Sequence, residues 1–302
     1  MKCVVCDAAG GQPYRSVEEV AYFRCAGCGS LFAHPDFLAR VDSNGAGGYA
    51  DDYWQSELNA ARERCFGPAL MRVAETIAYC RLPIRAFIDI GAGTGWLLDA
   101  LETLLPEVID RFHAVELYPP PEPHRTANAN YVIGTLADTG RTFDAGVCIE
   151  VIEHLTPTTF RTVVAQLAAV SRPGSLYLFN SGQPDFVERE DPGYLDPHRR
   201  GHIVCYSLAG AAHIFAPAGF TVIPLPGRSW AFLAEFGSSQ PVDGDALISR
   251  LWQPVPENAT MLRSARFGEL MRVAALDTAR AYLPPPAPTL VPAARNWFRR
   301  KR

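Results

Sequence analysis

The sequence predicts an α/β protein built on a mostly parallel sheet, preceded by a small metal-stapled module. Three observations carry this reading. From residue 86 onward, short apolar runs alternate with helix-patterned stretches, as expected of βαβ units whose strands are covered on both faces. Four N-terminal cysteines fall in two Cys-x-x-Cys pairs. A glycine triplet stands where one apolar run ends and a helical pattern begins.

Length and composition agree with a folded chain. The 302 residues leave room for roughly two domains. Hydrophobic residues at 48% and charged residues at 20% argue against bulk disorder. The 28 basic and 32 acidic residues give a net charge of −4, which excludes holding nucleic acid by overall positive charge. No apolar run reaches the roughly 18 residues of a membrane span. The opening MKCVVCDAAGG is not a secretory signal.

Cys3 and Cys6 are followed by eighteen residues and then by Cys25 and Cys28. This is the spacing of a tetrathiolate zinc ribbon. Each pair sits on a tight turn, a hairpin brings the pairs together, and zinc closes the tetrahedron. About 40 residues bury too little core to fold alone, so the metal would supply folding free energy. Four thiolates leave no open position, which makes the zinc structural. Cys65, Cys80, Cys148 and Cys205 read as buried thiols behaving as small hydrophobes. Reduced thiolates and the absence of a signal point to the cytoplasm.

Strands are expected at 86–90, 112–117, 131–134, 143–149, 175–180, 220–225 and 230–236. Helices are expected at 56–80, 95–105, 157–171, 207–217, 243–252 and 261–282. The segment 118–130 is too Pro-rich for a full crossover helix. The domain reading is a ribbon over 1–40, a Gly-rich linker and helix over 41–82, the α/β domain over 83–240, and a helical extension with a basic tail over 241–302.

Asp89-Ile90-Gly91-Ala92-Gly93-Thr94-Gly95 lies at a strand-to-helix junction, where glycines let backbone approach a ligand. The dinucleotide pattern GxGxxG would need glycine at 96, which is Trp96. Glu116 ends the next strand, 21 residues after Gly95, where a carboxylate can accept from both ribose hydroxyls. The ligand therefore reads as an adenosine without pyrophosphate, which suits S-adenosylmethionine (SAM).

DIGAGTG, Glu116, FDAGVCIEVIEHL and GHIVCYSLAGAAHIFAPAGF together resemble class I SAM-dependent methyltransferases. The match is to a bacterial branch whose members often carry an N-terminal zinc ribbon and then an aromatic-acidic stretch such as DDYW. The resemblance covers residues 1–236. It implies a Rossmann-like, seven-stranded sheet whose last strand is antiparallel. It also implies Asp89, Gly91, Gly93 and Gly95 around the methionine portion, Glu116 on the ribose, and Leu136 and Ala137 beside the adenine.

Glu150, Glu153 and His154 follow the fourth strand at spacings that put them on one face of a helical turn. Beside the methyl donor, His154 reads as a general base for an acceptor hydroxyl, since histidine titrates near neutral pH. A second reading has Glu150, Glu153 and His154 hold a divalent metal with His202 or His198. It follows from a resemblance to the metal site of small-RNA 2′-O-methyltransferases and ubiquinone-pathway O-methyltransferases. A third has Glu150 at the cofactor edge, Glu153 solvated and His154 capping a helix. His198 and His202 belong to a long loop over about 181–205 that should cover the acceptor side. His34, His113, His124 and His213 have no partner motif.

The expected activity is methyl transfer to a small-molecule, glycan-type or lipid-type hydroxyl. An RNA methyltransferase using the ribbon as reader, and a non-enzymatic ribbon scaffold with a vestigial nucleoside pocket, are the alternatives. The tail Asn296-Trp297-Phe298-Arg299-Arg300-Lys301-Arg302 reads either as a solvated terminus or as a weak contact for an anionic membrane.

Overall fold

The computed structural model of the chain describes residues 1–44, 51–238, 242–269 and 272. The N-terminal module opens with a hairpin of β1 (Gly11–Val17) and β2 (Val20–Cys25), followed by β3 (Leu31–Ala33). The two-residue turn at Glu18 and Glu19 has both residues at positive φ, the hand that matches strand twist. The helices α1 (Pro35–Asn44), α2 (Asp51–Cys65) and α3 (Pro68–Tyr79) lead to the main domain. A single helix was expected over 56–80. It is broken at Gly67-Pro68, because proline at the first helical position starts a new helix rather than continuing the old one.

The main domain then runs β4 (Phe87–Ile90), α4 (Trp96–Leu104), β5 (Phe112–Glu116), β6 (Tyr131–Ile133), β7 (Phe143–Ile149), α5 (Pro157–Ala169) and β8 (Ser171–Asn180). It continues through α6 (Pro184–Arg189), β9 (Val204–Cys205), α7 (Leu208–Phe215), β10 (Phe220–Pro224) and β11 (Ala231–Phe236). It ends in α8 (Gly244–Trp252) and α9 (Pro256–Leu262). All seven expected strands are present. The connection from β5 to β6 holds only a three-residue 3-10 turn at Glu122–His124, in keeping with its prolines.

The strands form one seven-stranded sheet in the order β10-β11-β8-β7-β4-β5-β6. β4 pairs in parallel with β5 and β7, β5 with β6, and β7 with β8, while β11 runs antiparallel to both its neighbours. The chain moves outward from β4 to β6 and then returns to the other side of β4 at β7. The resulting switch point opens a crevice beyond the carboxyl ends of β4 and β7.

Strand alternation divides the core into two layers. Phe87, Leu176 and Leu178 face α3 and α4 with Val73, Leu97 and Leu101. Ile88, Tyr177 and Phe179 face α5 and α7 with Phe160, Val164, Ile214 and Phe215. Val5, Tyr22, Leu31 and Phe32 of the N-terminal module belong to this second layer. The module's own sheet is completed from the main domain. β9 pairs antiparallel with β3, placing Leu31 opposite Cys205 and Phe32 opposite Val204. So short an apolar unit gains burial by sharing a core with its neighbour.

The loop read as structureless over 181–205 carries α6 and β9, so it is a built element. The C-terminal helix read over 261–282 begins earlier, at Pro256, and its first segment stops at Leu262. Asn258 in α9 is fully buried. Its Oδ1 accepts from the Ile84 N–H at 3.0 Å and its Nδ2 donates to the Leu82 carbonyl at 2.9 Å, which ties the extension to the approach to β4. The Gly-rich stretch over 45–50, the PPPAP segment and the tail 296–302 lie outside the described residues.

Candidate active site

The glycine turn sits at the carboxyl end of β4. Gly91 and Gly95 have φ of 72° and 71°, a left-handed conformation that L side chains rarely adopt. Space forbids a side chain as well. A Cβ on Gly91 would lie 2.6 Å from a Val151 methyl, and one on Gly95 would lie 2.4 Å from a Thr126 methyl. Glu116, at the end of β5, reaches over this turn. Its Oε2 accepts from the Gly93 N–H and its Oε1 from the Tyr118 N–H, both at 2.8 Å. The Tyr131 hydroxyl donates to the Gly93 carbonyl at 2.6 Å.

A cavity of about 190 Å³ opens against this cradle, lined by Asp89, Gly91, Gly93, Glu116, Glu150 and His154 among others. Burial, and then the charge of Glu116, push the Asp89 carboxyl up to about 7. A cation arriving beside it would favour the ionised form. Gly95 is the N-cap of α4 and does not line the cavity. Leu136 is packed in the core and Ala137 is exposed, and neither lines it. Arg64 and Cys65 of α2 do line it, and so does Tyr118. Burial pushes the Cys65 thiol up to about 12. Sequence spacing offered no signal for Arg64 and Cys65, because α2 reaches the cavity through packing alone.

Glu150 immediately follows β7 and has φ of 54°, although it is not glycine. Such strain costs on the order of 1–3 kcal/mol and recurs at functional sites. Asn180, the last residue of β8, holds it twice. Its carbonyl accepts from the Glu150 N–H at 2.8 Å, and its Nδ2 donates to Glu150 Oε1 at 2.6 Å. The expected helical face of Glu150, Glu153 and His154 is not formed. Only Ile152–His154 makes a single 3-10 turn, and Glu150 stands outside it. Nor is Glu153 solvated, since it is fully buried.

Burial of Glu153 leaves both its oxygens without a hydrogen bond of good geometry among the described residues. His202 Nε2 lies 3.9 Å from Glu153 Oε1, and the His202 and His154 rings meet edge to face at 4.9 Å. His202 Nδ1 stands 2.8 Å from the Tyr194 carbonyl. A carbonyl only accepts, so Nδ1 carries the proton and the Nε2 lone pair points elsewhere. Burial, and then His154, hold the His202 pKa down to about 3, and burial raises that of Glu153. The ligand atoms of Glu153, His154 and His202 all lie within 4.8 Å of one another. A buried carboxylate facing an imidazole lone pair is an arrangement that a proton or a cation would complete. His198 is exposed instead, against the Phe37 ring at 5.9 Å.

A second cavity of about 360 Å³ adjoins the first, and Glu150 lines both. Asn180 at the end of β8 and Tyr194, Arg200 and His202 from the segment after it line this cavity, as do Arg72 and Trp230.

In the N-terminal module, the sulfurs of Cys3, Cys6, Cys25 and Cys28 lie within 4.8 Å of one another. Cys3 Sγ is 3.9 Å from Cys28 Sγ, and Cys6 Sγ is 3.6 Å from Cys25 Sγ. Zinc–sulfur bonds of about 2.3 Å give a tetrahedron with edges of about 3.8 Å, so the four sulfurs fit the ion. The Val5 N–H donates to Cys3 Sγ, and the Gly27 and Cys28 N–H groups donate to Cys25 Sγ, each at 3.3 Å. Amide donors of this kind favour thiolates.

A glycine turn at the switch point of a doubly wound sheet, with a carboxylate reaching over it from the next strand, is an arrangement that can hold a nucleoside-type ligand. The chain belongs to the methyltransferase-domain family, whose model matches residues 51–225. No curated protein sequence matches it. Among solved structures it is similar to the 1,6-didemethyltoxoflavin N1-methyltransferase of Burkholderia thailandensis, at 20% identity over 74% of this chain and 97% of the other, with a TM-score of 0.43. It is similar to an amino pentose methyltransferase of Micromonospora echinaspora, at 20% identity over 62% and 97% of the two chains, with a TM-score of 0.43. An O-methyltransferase of neocarzinostatin biosynthesis gives 17% identity over 67% and 61%, with a TM-score of 0.48.

Proposed function

We propose that this methyltransferase alkylates a hydroxyl of a small-molecule or glycan-type acceptor. SAM would occupy the cavity at the glycine turn, with Asp89 and the turn at its methionine portion and Glu116 at its ribose. The acceptor would occupy the second cavity. One observation carries this reading: the two cavities share Glu150, and His154 and His202 flank the same junction. The sulfonium supplies an activated methyl group, so the protein's main task is alignment, which contributes on the order of 7–11 kcal/mol. A hydroxyl acceptor must also lose a proton. Burial and the nearby Glu153 raise the Glu150 carboxyl well above the usual range, which makes it a stronger base. Glu150 and His154 are the candidates to take the proton.

A divalent metal is the second reading, favoured by the orphaned Glu153 carboxylate. Glu153, His154 and the His202 Nε2 lone pair would hold it. Glu150 is left out of this set, because it does not belong to the cluster of ligand atoms that Glu153, His154 and His202 form. The ion would act as a Lewis acid on an acceptor oxygen. The N-terminal sulfurs would hold a separate, structural zinc.

Calorimetry with SAM, followed by tracing of labelled methyl groups into cell extracts, tests the assignment. Saturable heat and a labelled acceptor are expected, and a chain that binds no SAM would refute it. Full turnover after removal of every metal except the ribbon zinc would eliminate the second reading. Manganese binding lost in Glu153→Gln would support it.

A further inference from the structure

The second cavity has a feature that methyl transfer does not require. Arg72 lines it from α3, and the side chain is only 7% exposed. Its guanidinium lies 4.2 Å from the centre of the Trp230 ring, and that of Arg228 lies 4.7 Å from the same ring. Both arginines pair with one carboxylate. Glu75 accepts from Arg72 through one oxygen and from Arg228, at 2.6 Å, through the other. Two full positive charges therefore share one negative charge. The Arg72 Nε–H has no acceptor among the described residues. The other cation on the wall, Arg200, is already matched by Asp191 at 2.7 Å, and both of these line the cavity too.

A guanidinium taken out of water needs compensation. The Trp230 face offers part of it through a cation–π contact, and half of a shared carboxylate offers more. The remainder points to an anion supplied from outside. Glu150, Asn180 and His202 line the same cavity, and the methyl would arrive at Glu150, which the first cavity shares. The cavity thus holds on its wall both proton-accepting groups and an under-compensated guanidinium. Its volume suits a small molecule rather than a polymer.

We infer that the acceptor is a small acid, whose carboxylate or phosphate is bound by Arg72 while its hydroxyl points to Glu150. This rests on the methyltransferase reading of the two cavities. Guanidinium prefers such groups because its N–H fork matches two oxygens at once.

The test is calorimetry on the full chain saturated with S-adenosylhomocysteine, using three probes of similar size. These are para-hydroxybenzoate, phenyl phosphate and the neutral para-hydroxybenzamide. At least one anion is expected to bind about tenfold or more tighter than the amide, and the stronger of the two identifies the acidic group. Arg72→Gln is expected to abolish that preference while leaving S-adenosylhomocysteine affinity unchanged. Because Arg72 is buried, Glu75→Gln provides an independent arm. Removing the shared carboxylate should enlarge the preference for the anion. The inference is overturned if wild-type protein binds no anion at millimolar concentration, or prefers none over the amide. It is overturned equally if Glu75→Gln leaves the preference unchanged or smaller. Failure to bind S-adenosylhomocysteine at all would instead sink the methyltransferase reading of the cavities.

Discussion

The two cavities are built in different ways. The glycine cradle and the carboxylate over it come from one stretch of chain, from Asp89 to Glu116, with the turn after β4 and the end of β5 already neighbours in the sheet, while α2 and the segment after β7 complete the first cavity around them. The acceptor cavity gathers Arg72 from α3, Glu150 after β7, the segment from Asn180 to His202, and Trp230 before β11. That segment is in turn held by the N-terminal module. The Tyr22 hydroxyl donates to the His202 carbonyl at 2.8 Å, Arg15 donates to the Pro192 carbonyl, and Arg24 pairs with Glu188. The Ala33 N–H donates to the Ile203 carbonyl at 2.9 Å. On the proposed reading, the cradle for a common cofactor is a local device, whereas the site for a particular acceptor is an assembly of distant parts. The cysteine-stapled module belongs to the acceptor side.

The comparison predicts which variants separate the two sides. The largest effect is expected from Gly95→Val, which places a β-branched side chain at positive φ against Thr126 and Tyr131. SAM affinity should fall by about a hundredfold or more, roughly 3 kcal/mol. Calorimetry showing unchanged affinity would mean the conformation of this turn does not govern donor binding.

Next comes the pH dependence of SAM binding. With the Asp89 carboxyl at about 7 in the free protein, the ionised form is the one that attracts the cationic ligand. Bound cation lowers that pKa, so affinity is lost as pH falls through about 7. A weakening of about tenfold is expected from pH 8 to pH 6. Asp89→Asn should flatten the profile. In the ligand-free protein the same raised pKa acts the other way. Stability contributed by Asp89 falls as pH rises from its ordinary 3.8 through about 7.

Cys28→Ser should lower zinc content, measured by atomic absorption, and cut acceptor turnover by about tenfold while SAM affinity moves less than about twofold. Equal losses on both sides would erase the distinction drawn above. Tyr22→Phe is the finest cut. It removes one hydrogen bond, about 1 kcal/mol, from the backbone of His202. Acceptor KM should rise about fivefold with SAM affinity unchanged, and a steady-state titration of each substrate checks it.

Legibility followed the same division. The strands were legible because burial on both faces leaves continuous apolar runs, as in FDAGVCI at β7. Asp89, the glycines and Glu116 were legible because strand ends and left-handed turns constrain residue type locally. The break at Gly67-Pro68 was legible in principle, since proline punctuates helices, but the apolar pattern on both sides outweighed it. The sequence left Glu153 open between a metal ligand and a solvated side chain, because a carboxylate alone carries no sign of burial. Its place is set by His202, forty-nine residues further along the chain.

From the amino-acid order alone came the sheet, the donor cradle and the paired cysteine knuckles, because each depends on periodicity or on spacing within one turn. Packing decided the rest. It brought Arg72 and Arg228 onto one indole and one carboxylate, joined β9 to the N-terminal module, and left Glu153 facing the lone pair of His202. Such meetings follow from how layers stack and which charges lose their water, and no local pattern of residues records them.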